Sequence, residues 1–153
     1  MFNAISGHGG IVSEIAGDGL MAIFGVPLPL ADHCESAALA ALEMIELIDL
    51  FNVDQKAAGK PQIRIGIGIA SGEMVAGYTG TNERATYTCI GDTVNVAARL
   101  EAHTKVAQCA ILIDAATRAG LRSDIQVDAL GPVMFRGKTQ EVDVFSVNIV
   151  RKG

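Results

Sequence analysis

Ile90-Gly91-Asp92-Thr93-Val94-Asn95-Val96-Ala97-Ala98-Arg99-Leu100-Glu101 reads as a turn, an Asp cap and then a helix. Asn95 and Arg99 stand four residues apart, so they project from one face of that helix. Most of the other positions are Val, Ala and Leu. Arg can grip a phosphate through two parallel N–H bonds, and Asn can orient a hydroxyl or ether oxygen. The pair therefore suits the ribose and phosphates of a nucleotide. It also suits an exposed helix edge on which both side chains are simply solvated.

A second segment narrows the choice. Ile11-Val12-Ser13-Glu14-Ile15-Ala16 and Leu20-Met21-Ala22-Ile23-Phe24 are short apolar runs flanking Gly17-Asp18-Gly19, a hairpin turn signal. Asp18 fits plain turn chemistry, since Asp-Gly tolerates positive φ. It also fits a carboxylate held at a rigid strand end, where it could meet Mg²⁺.

Working outward, Pro27 and Pro29 end this hairpin, and Asp32 with Glu35 is a helix-start pattern of the capping-box kind. Cys34, Ala38, Ala41, Ile45 and Ile48 give that helix a core face, with Glu43, Glu46 and Asp49 off it; Gly59 and Pro61 stop it. Ile63, Ile65, Ile67 and Ile69 alternate with Arg64, Gly66, Gly68 and Ala70, a period-two strand. Its second face is almost bare, so something packs close against it. Strand is predicted over 74–78 and 86–90, around a polar excursion at 79–85. A further strand over 110–113 runs into a short helix capped by Asp114 and ending near Gly120, and strands over 127–130, 133–135 and 142–147 finish the chain. Strands and helices alternate without repeats or a linker. The reading is one α+β domain over residues 1–153: an antiparallel-rich, ferredoxin-like sheet with helices on one face.

Composition sets outer bounds. The chain has 153 residues, half of them apolar, enough for one domain with a sizeable core. Net charge is −5 and there is no basic run, which argues against a nucleic-acid partner. Cys34, Cys89 and Cys109 are odd in number and lack zinc spacing, as expected of reduced cytoplasmic thiols. Neither a signal peptide nor an apolar run of spanning length is present.

Taken together and in order, four motifs resemble the class III nucleotidyl (adenylate/guanylate) cyclase catalytic domain. They are Gly17-Asp18-Gly19-Leu20-Met21-Ala22-Ile23-Phe24-Gly25; Arg64-Ile65-Gly66-Ile67-Gly68-Ile69 with Ser71-Gly72-Glu73; Tyr87-Thr88-Cys89-Ile90-Gly91-Asp92-Thr93-Val94-Asn95 with Arg99; and Leu130-Gly131-Pro132 with Arg136-Gly137-Lys138. The resemblance covers essentially the whole chain. It implies a phosphorus–oxygen lyase that converts ATP or GTP to the 3′,5′-cyclic nucleotide and pyrophosphate, for intracellular signalling. It also implies a nucleoside triphosphate substrate, two Mg²⁺ or Mn²⁺ ions, and a site shared across a head-to-tail homodimer or with a cyclase-domain partner. By that resemblance Asp18 matches a metal aspartate, Asn95 orients the ribose, Arg99 stabilises charge on the α-phosphate, and Arg136 meets the terminal phosphates. Residues 79–85 would be the dimerisation arm.

The chain departs from the family in two places. The family's other metal aspartate lies in a Phe-x-Asp strand upstream of the hairpin, and no counterpart occurs here. The expectation is an N-terminally truncated domain without its first, central strand. Its sheet would close up or take a strand from elsewhere, and the bare glycine face would mark the missing neighbour. Activity of such a chain would be doubtful. The second departure concerns the base. Glu14 stands where the family's adenylate cyclases place Lys, and a carboxylate accepts from guanine N1–H and the 2-amino group. Thr88, the second selecting position, can donate or accept. The base stays open between adenine and guanine. A catalytically inactive homologue, acting as a dimerising nucleotide-binding regulatory module, and an interaction domain without a small ligand are the alternatives.

Overall fold

The structure is a computed structural model, and it describes residues 2–16, 19–25, 30–81, 84–122, 124–135 and 140–148. A short helix α1 (Phe2–Gly7) leads into the first hairpin, β1 (Gly10–Ala16) and β2 (Gly19–Phe24). Ala16 pairs with Gly19, and the register slips once, between Val12 and Glu14; the turn predicted at Gly17-Asp18 lies outside the described residues. Next comes the long helix α2 (His33–Ala57), which ends before Gly59 at φ +71°. Cys34, Ala38, Ala41 and Ile45 are buried along it as their spacing predicts.

Asp32 and Glu35 do not form a capping box. Asp32 makes no side-chain cap bond. Its carboxylate instead accepts from Arg122 Nη2 at 3.2 Å, and buried Glu35 accepts from the Arg122 backbone N–H at 2.7 Å. Both carboxylates are used to tie the helix start to a loop 87 to 90 residues downstream.

β3 is shorter than the alternation predicts, only Ile67–Ile69. A strand persists only where a neighbour takes its hydrogen bonds. β3 pairs in parallel with β6 (Ile111–Asp114), itself four residues long. Upstream, the Asn52 side chain on α2 serves Ile63 instead: its Nδ2 donates to Ile63 O and its Oδ1 accepts from Ile63 N, both at 2.8 Å.

Next in the chain come β4 (Val75–Thr81) and β5 (Arg84–Ile90), a hairpin paired from Val75↔Ile90 out to Thr81↔Arg84. The predicted polar excursion at 79–85 is therefore ladder over 79–81 and 84–85. Helix α3 (Asp92–Ala107), helix α4 (Ala115–Ala119), β7 (Val127–Val133) and β8 (Val142–Val147) complete the chain. β7 runs without a break from Val127 to Val133, with an irregularity between Ala129 and Gly131, the latter at φ +93°; Met134 and Phe135, predicted as strand, lie beyond its end. Asp114 caps α4 as read from sequence, its Oδ1 accepting from Thr117 N at 2.9 Å.

Among the described residues the strands form three sheets: β1-β2, β3-β6-β8-β7 and β4-β5. The antiparallel-rich α+β character is as expected. The helices, however, lie on both sides of the four-stranded sheet rather than on one. Ile111 and Ile113 pack with Ala41 and Ile45 of α2, while Leu112 between them packs with Val96 and Leu100 of α3. Neighbouring residues in a strand face opposite ways, so α2 and α3 cover opposite faces.

The bare glycine face of β3 has its explanation here. A Cβ on Gly68 would collide with Ala97 O and Glu101 N and sit 2.8 Å from Leu100 Cβ; a Cβ on Gly66 would collide with Thr104 Oγ1. The close neighbour is α3 of the same chain, not a missing strand. The first hairpin joins the body through apolar packing: Val12, Leu20, Ala22 and Phe24 rest on Ala4, Ile5 and Met44, against which Ile65 and Ile67 also pack.

Candidate active site

α3 begins directly where β5 ends. Gly91 is its N-cap residue, at φ +152°, and Asp92 is the first helical residue rather than the cap. Gly91 has no side chain to offer the helix, and its carbonyl takes the Val94 and Asn95 amides at 3.2 and 3.4 Å. The helix is seated on the sheet by Val96 and Leu100, 7% and 0% exposed. Asn95 and Arg99 lie off that buried side; Asn95 is exposed and Arg99 half-buried. Neither side chain has a hydrogen-bond or ion-pair partner among the described residues.

An open cleft of about 410 Å³ lies at this junction, lined by Ile90, Gly91, Asp92, Val94 and Asn95. The volume falls in the range of small-ligand sites. At its rim, Val75 and Ile90 face each other across the β4–β5 ladder and are 76% and 69% exposed. Two large aliphatic side chains left in water beside this cleft mark a surface suited to being covered.

The other sequence candidates are placed less fully. Asp18 and Arg136 lie outside the described residues. Glu14 pairs with Met21 in the first hairpin, and Thr88 pairs with Gly77 in the second. Their strands, β1 and β5, run against each other, so the two positions proposed to read the base belong to neighbouring elements.

Two contributors are not apparent from the sequence. His103 continues the Asn95–Arg99 row by one more turn, and its ring meets Phe135 edge-on at 5.5 Å. Phe135 is buried and immediately precedes Arg136, so the chain enters the 136–139 segment from alongside α3. The second is Thr93, whose Oγ1 donates to the Glu73 carbonyl at 2.9 Å. The i, i+4, i+8 row was a readable signal for His103; the backbone acceptor of Thr93 left none.

Comparison with known proteins places the family. A family model described as adenylate and guanylate cyclase catalytic domain matches residues 5–148. Adenylate cyclase 1 of Rhizobium meliloti (strain 1021) is 34% identical over 143 residues, which cover 94% of this chain and 22% of that relative. The chain thus spans roughly a fifth of the length of the curated relatives it matches. The crystal structure of the guanylyl cyclase Cya2 superposes with a TM-score of 0.86 at 28% identity, covering 98% of this chain and 75% of that one. A non-canonical dimeric guanylyl cyclase domain of the RhoGC fusion protein from Blastocladiella emersonii superposes at 0.75 with 27% identity, over 94% of this chain and 74% of its own. With a family match over nearly its whole length, the chain belongs to the adenylate and guanylate cyclase catalytic domains.

Proposed function

We propose that residues 1–153 form one cyclase catalytic domain that converts ATP or GTP to its 3′,5′-cyclic nucleotide and pyrophosphate, in a head-to-tail pairing with a second cyclase domain. The observation that carries this reading is the pair Asn95 and Arg99 on one face of α3, neither partnered among the described residues, with Asn95 lining an open cleft. In the reaction the ribose 3′-oxygen bonds to the α-phosphorus and loses its proton, while the bond from that phosphorus to the β-phosphate bridging oxygen breaks. Negative charge grows on the α-phosphate and on the leaving pyrophosphate. Arg99 supplies N–H donors to the first, and Asn95 holds the ribose so that its 3′-oxygen is in line. Arg136 would receive the terminal phosphates, and Glu14 with Thr88 the purine edge.

Among the described residues no three His, Cys, Asp or Glu side chains come together. By its match to the family motif, Asp18 would hold a bound Mg²⁺ or Mn²⁺ together with the triphosphate's own oxygens, a hard-oxygen donor set suited to such ions. When bound, the ion would neutralise phosphate charge. The exposed Val75–Ile90 pair at the cleft rim favours a site completed by a second copy. Among the described residues no helix is long and apolar enough to cross a membrane.

In this sequence Asp18 is the residue that matches a metal aspartate of the family, which is compatible with a second reading: a nucleotide-binding homologue without turnover. One experiment separates the two. Cyclic-nucleotide formation from ATP and GTP with Mn²⁺ is followed for parent and Arg99→Ala protein, alongside nucleotide affinity. The enzyme reading expects kcat to fall ~100-fold in Arg99→Ala with affinity nearly kept, because Arg99 meets charge that develops in the transition state. Binding without turnover in the parent establishes the regulatory reading. Turnover in Arg99→Ala within a few-fold of an active parent removes Arg99 from the chemistry.

A further inference from the structure

We infer that Thr93 is a positioning residue: it clasps the first turn of α3 to the Ser71–Glu73 loop and thereby sets where Asn95 points. The inference rests on the reading of Asn95 given above.

The first turn of α3 is weakly held from within. Its N-cap residue is Gly91, and the two amides that bond to the Gly91 carbonyl do so at 3.2 and 3.4 Å. Thr93 fastens the turn from outside, through its 2.9 Å bond to Glu73 O. The loop is shaped to receive it: a Cβ on Gly72 would lie 2.7 Å from Thr93 Oγ1. Any residue but glycine there would turn the hydroxyl away.

The loop is a fixed post because its other end is tied to the core. Ser71 Oγ is 2.7 Å from Thr117 Oγ1 and 3.3 Å from Cys34 Sγ, and Thr117 Oγ1 donates to Asp114 Oδ1 at 2.7 Å. A hydroxyl has one proton, and the Thr117 proton goes chiefly to Asp114. Ser71 therefore donates to Thr117, and the Cys34 thiol donates to Ser71. This directed chain crosses a region where Thr117 is 0% and Cys34 7% exposed. A buried chain with every donor used is stiff. It leads from the cap of α4 through Ser71 to Glu73, and from there across one hydrogen bond to the turn that carries Asn95.

The test compares Thr93→Val, which keeps the shape and loses the donor, with Thr93→Ser, which keeps the donor. Affinity is measured by calorimetric titration with 3′-deoxy-ATP and 3′-deoxy-GTP plus Mn²⁺, which cannot be cyclised. Amide hydrogen exchange at Val94 and Asn95 and the thermal midpoint are measured in parallel. Loss of one partly exposed hydrogen bond should weaken nucleotide binding and speed local exchange by about threefold each in Thr93→Val. Thr93→Ser should restore both, the thermal midpoint of Thr93→Val should fall by only about 1–3 °C, and Gly72→Ala should reproduce Thr93→Val. The inference is overturned if Thr93→Val binds and exchanges like the parent. It is equally overturned if its losses come with an equal loss of global stability that Thr93→Ser does not repair. Should the parent bind neither nucleotide, the cyclase reading fails by itself. Local exchange then decides the clasp: faster in Thr93→Val upholds it, unchanged removes it.

Discussion

Replacing Gly68 with alanine adds one methyl group at the point where β3 meets α3. That methyl would collide with two backbone atoms, Ala97 O and Glu101 N, and stand 2.8 Å from Leu100 Cβ. Carbon atoms rest at about 3.5–4.0 Å, so α3 would have to retreat by roughly 1 Å. The obstacles are mostly backbone, and no rotamer change relieves them. Overpacking of this kind costs about 1–3 kcal/mol. A gap of up to about 1 Å behind Val96 and Leu100 would forfeit a quarter to a half of each contact's dispersion energy. Replacing Gly returns roughly 0.4–1 kcal/mol through the unfolded chain. The net expectation for Gly68→Ala is a loss of about 3 kcal/mol, read in urea as a midpoint lowered by about 1–2 M at unchanged slope. Gly77→Ala is the matched control. It lies in β4 and a Cβ there meets nothing within 4 Å. It should be neutral or slightly stabilising. If Gly68→Ala unfolds within about 0.5 kcal/mol of Gly77→Ala, the close seating of α3 on β3 is wrong.

Asp114→Ala removes the acceptor for both Thr117 N and the fully buried Thr117 Oγ1, and should cost about 2–3 kcal/mol in urea unfolding, whereas Asp114→Asn should recover most of it; equal stability of Asp114→Ala and parent would refute the cap. If Asp18 and Arg99 serve one site from two chains, mixing Asp18→Ala with Arg99→Ala protein should restore activity to at most about one intact site per mixed dimer. Verified mixed dimers without any recovery would count against a shared site. If Glu14 reads the purine, Glu14→Lys should lower the ratio of GTP to ATP use, measured in parallel assays, because paired hydrogen bonds to guanine are lost. An unchanged ratio would take Glu14 out of the pocket.

What could be read from the sequence was mostly local. Asp114 before a short helix and Gly59 after a long one each depend on chemistry within a few residues, and both stand where the sequence puts them. Asn95 and Arg99 were legible because helical spacing alone places them on one face. What escaped the sequence was set by distant partners. Ile63 has strand-like alternation but is held by Asn52 instead of a strand. Asp32 and Glu35 have the spacing of a cap and are taken by Arg122. Period two told that β3 has a bare face but not what covers it, because α3 follows some two dozen residues later. The polar composition of 79–85 suggested a loop, yet pairing across the hairpin satisfies that backbone. Thr93 was hidden for the same reason, since its partner is a main-chain oxygen twenty residues away.

The β4–β5 hairpin has a mechanical consequence. Its ladder holds seven residue pairs, from Val75↔Ile90 to Thr81↔Arg84, which at about 3.4 Å per residue makes an arm some 20 Å long. At its root, β5 passes through a single glycine into α3, with no slack between them. The hairpin is therefore a lever with its short end at Asn95. A load applied near Thr81 and Arg84 is delivered as torque on Gly91, against the restraint that Thr93 and Glu73 provide. Whatever grips the far end of the arm has a stiff handle on the first turn of α3 without touching the cleft.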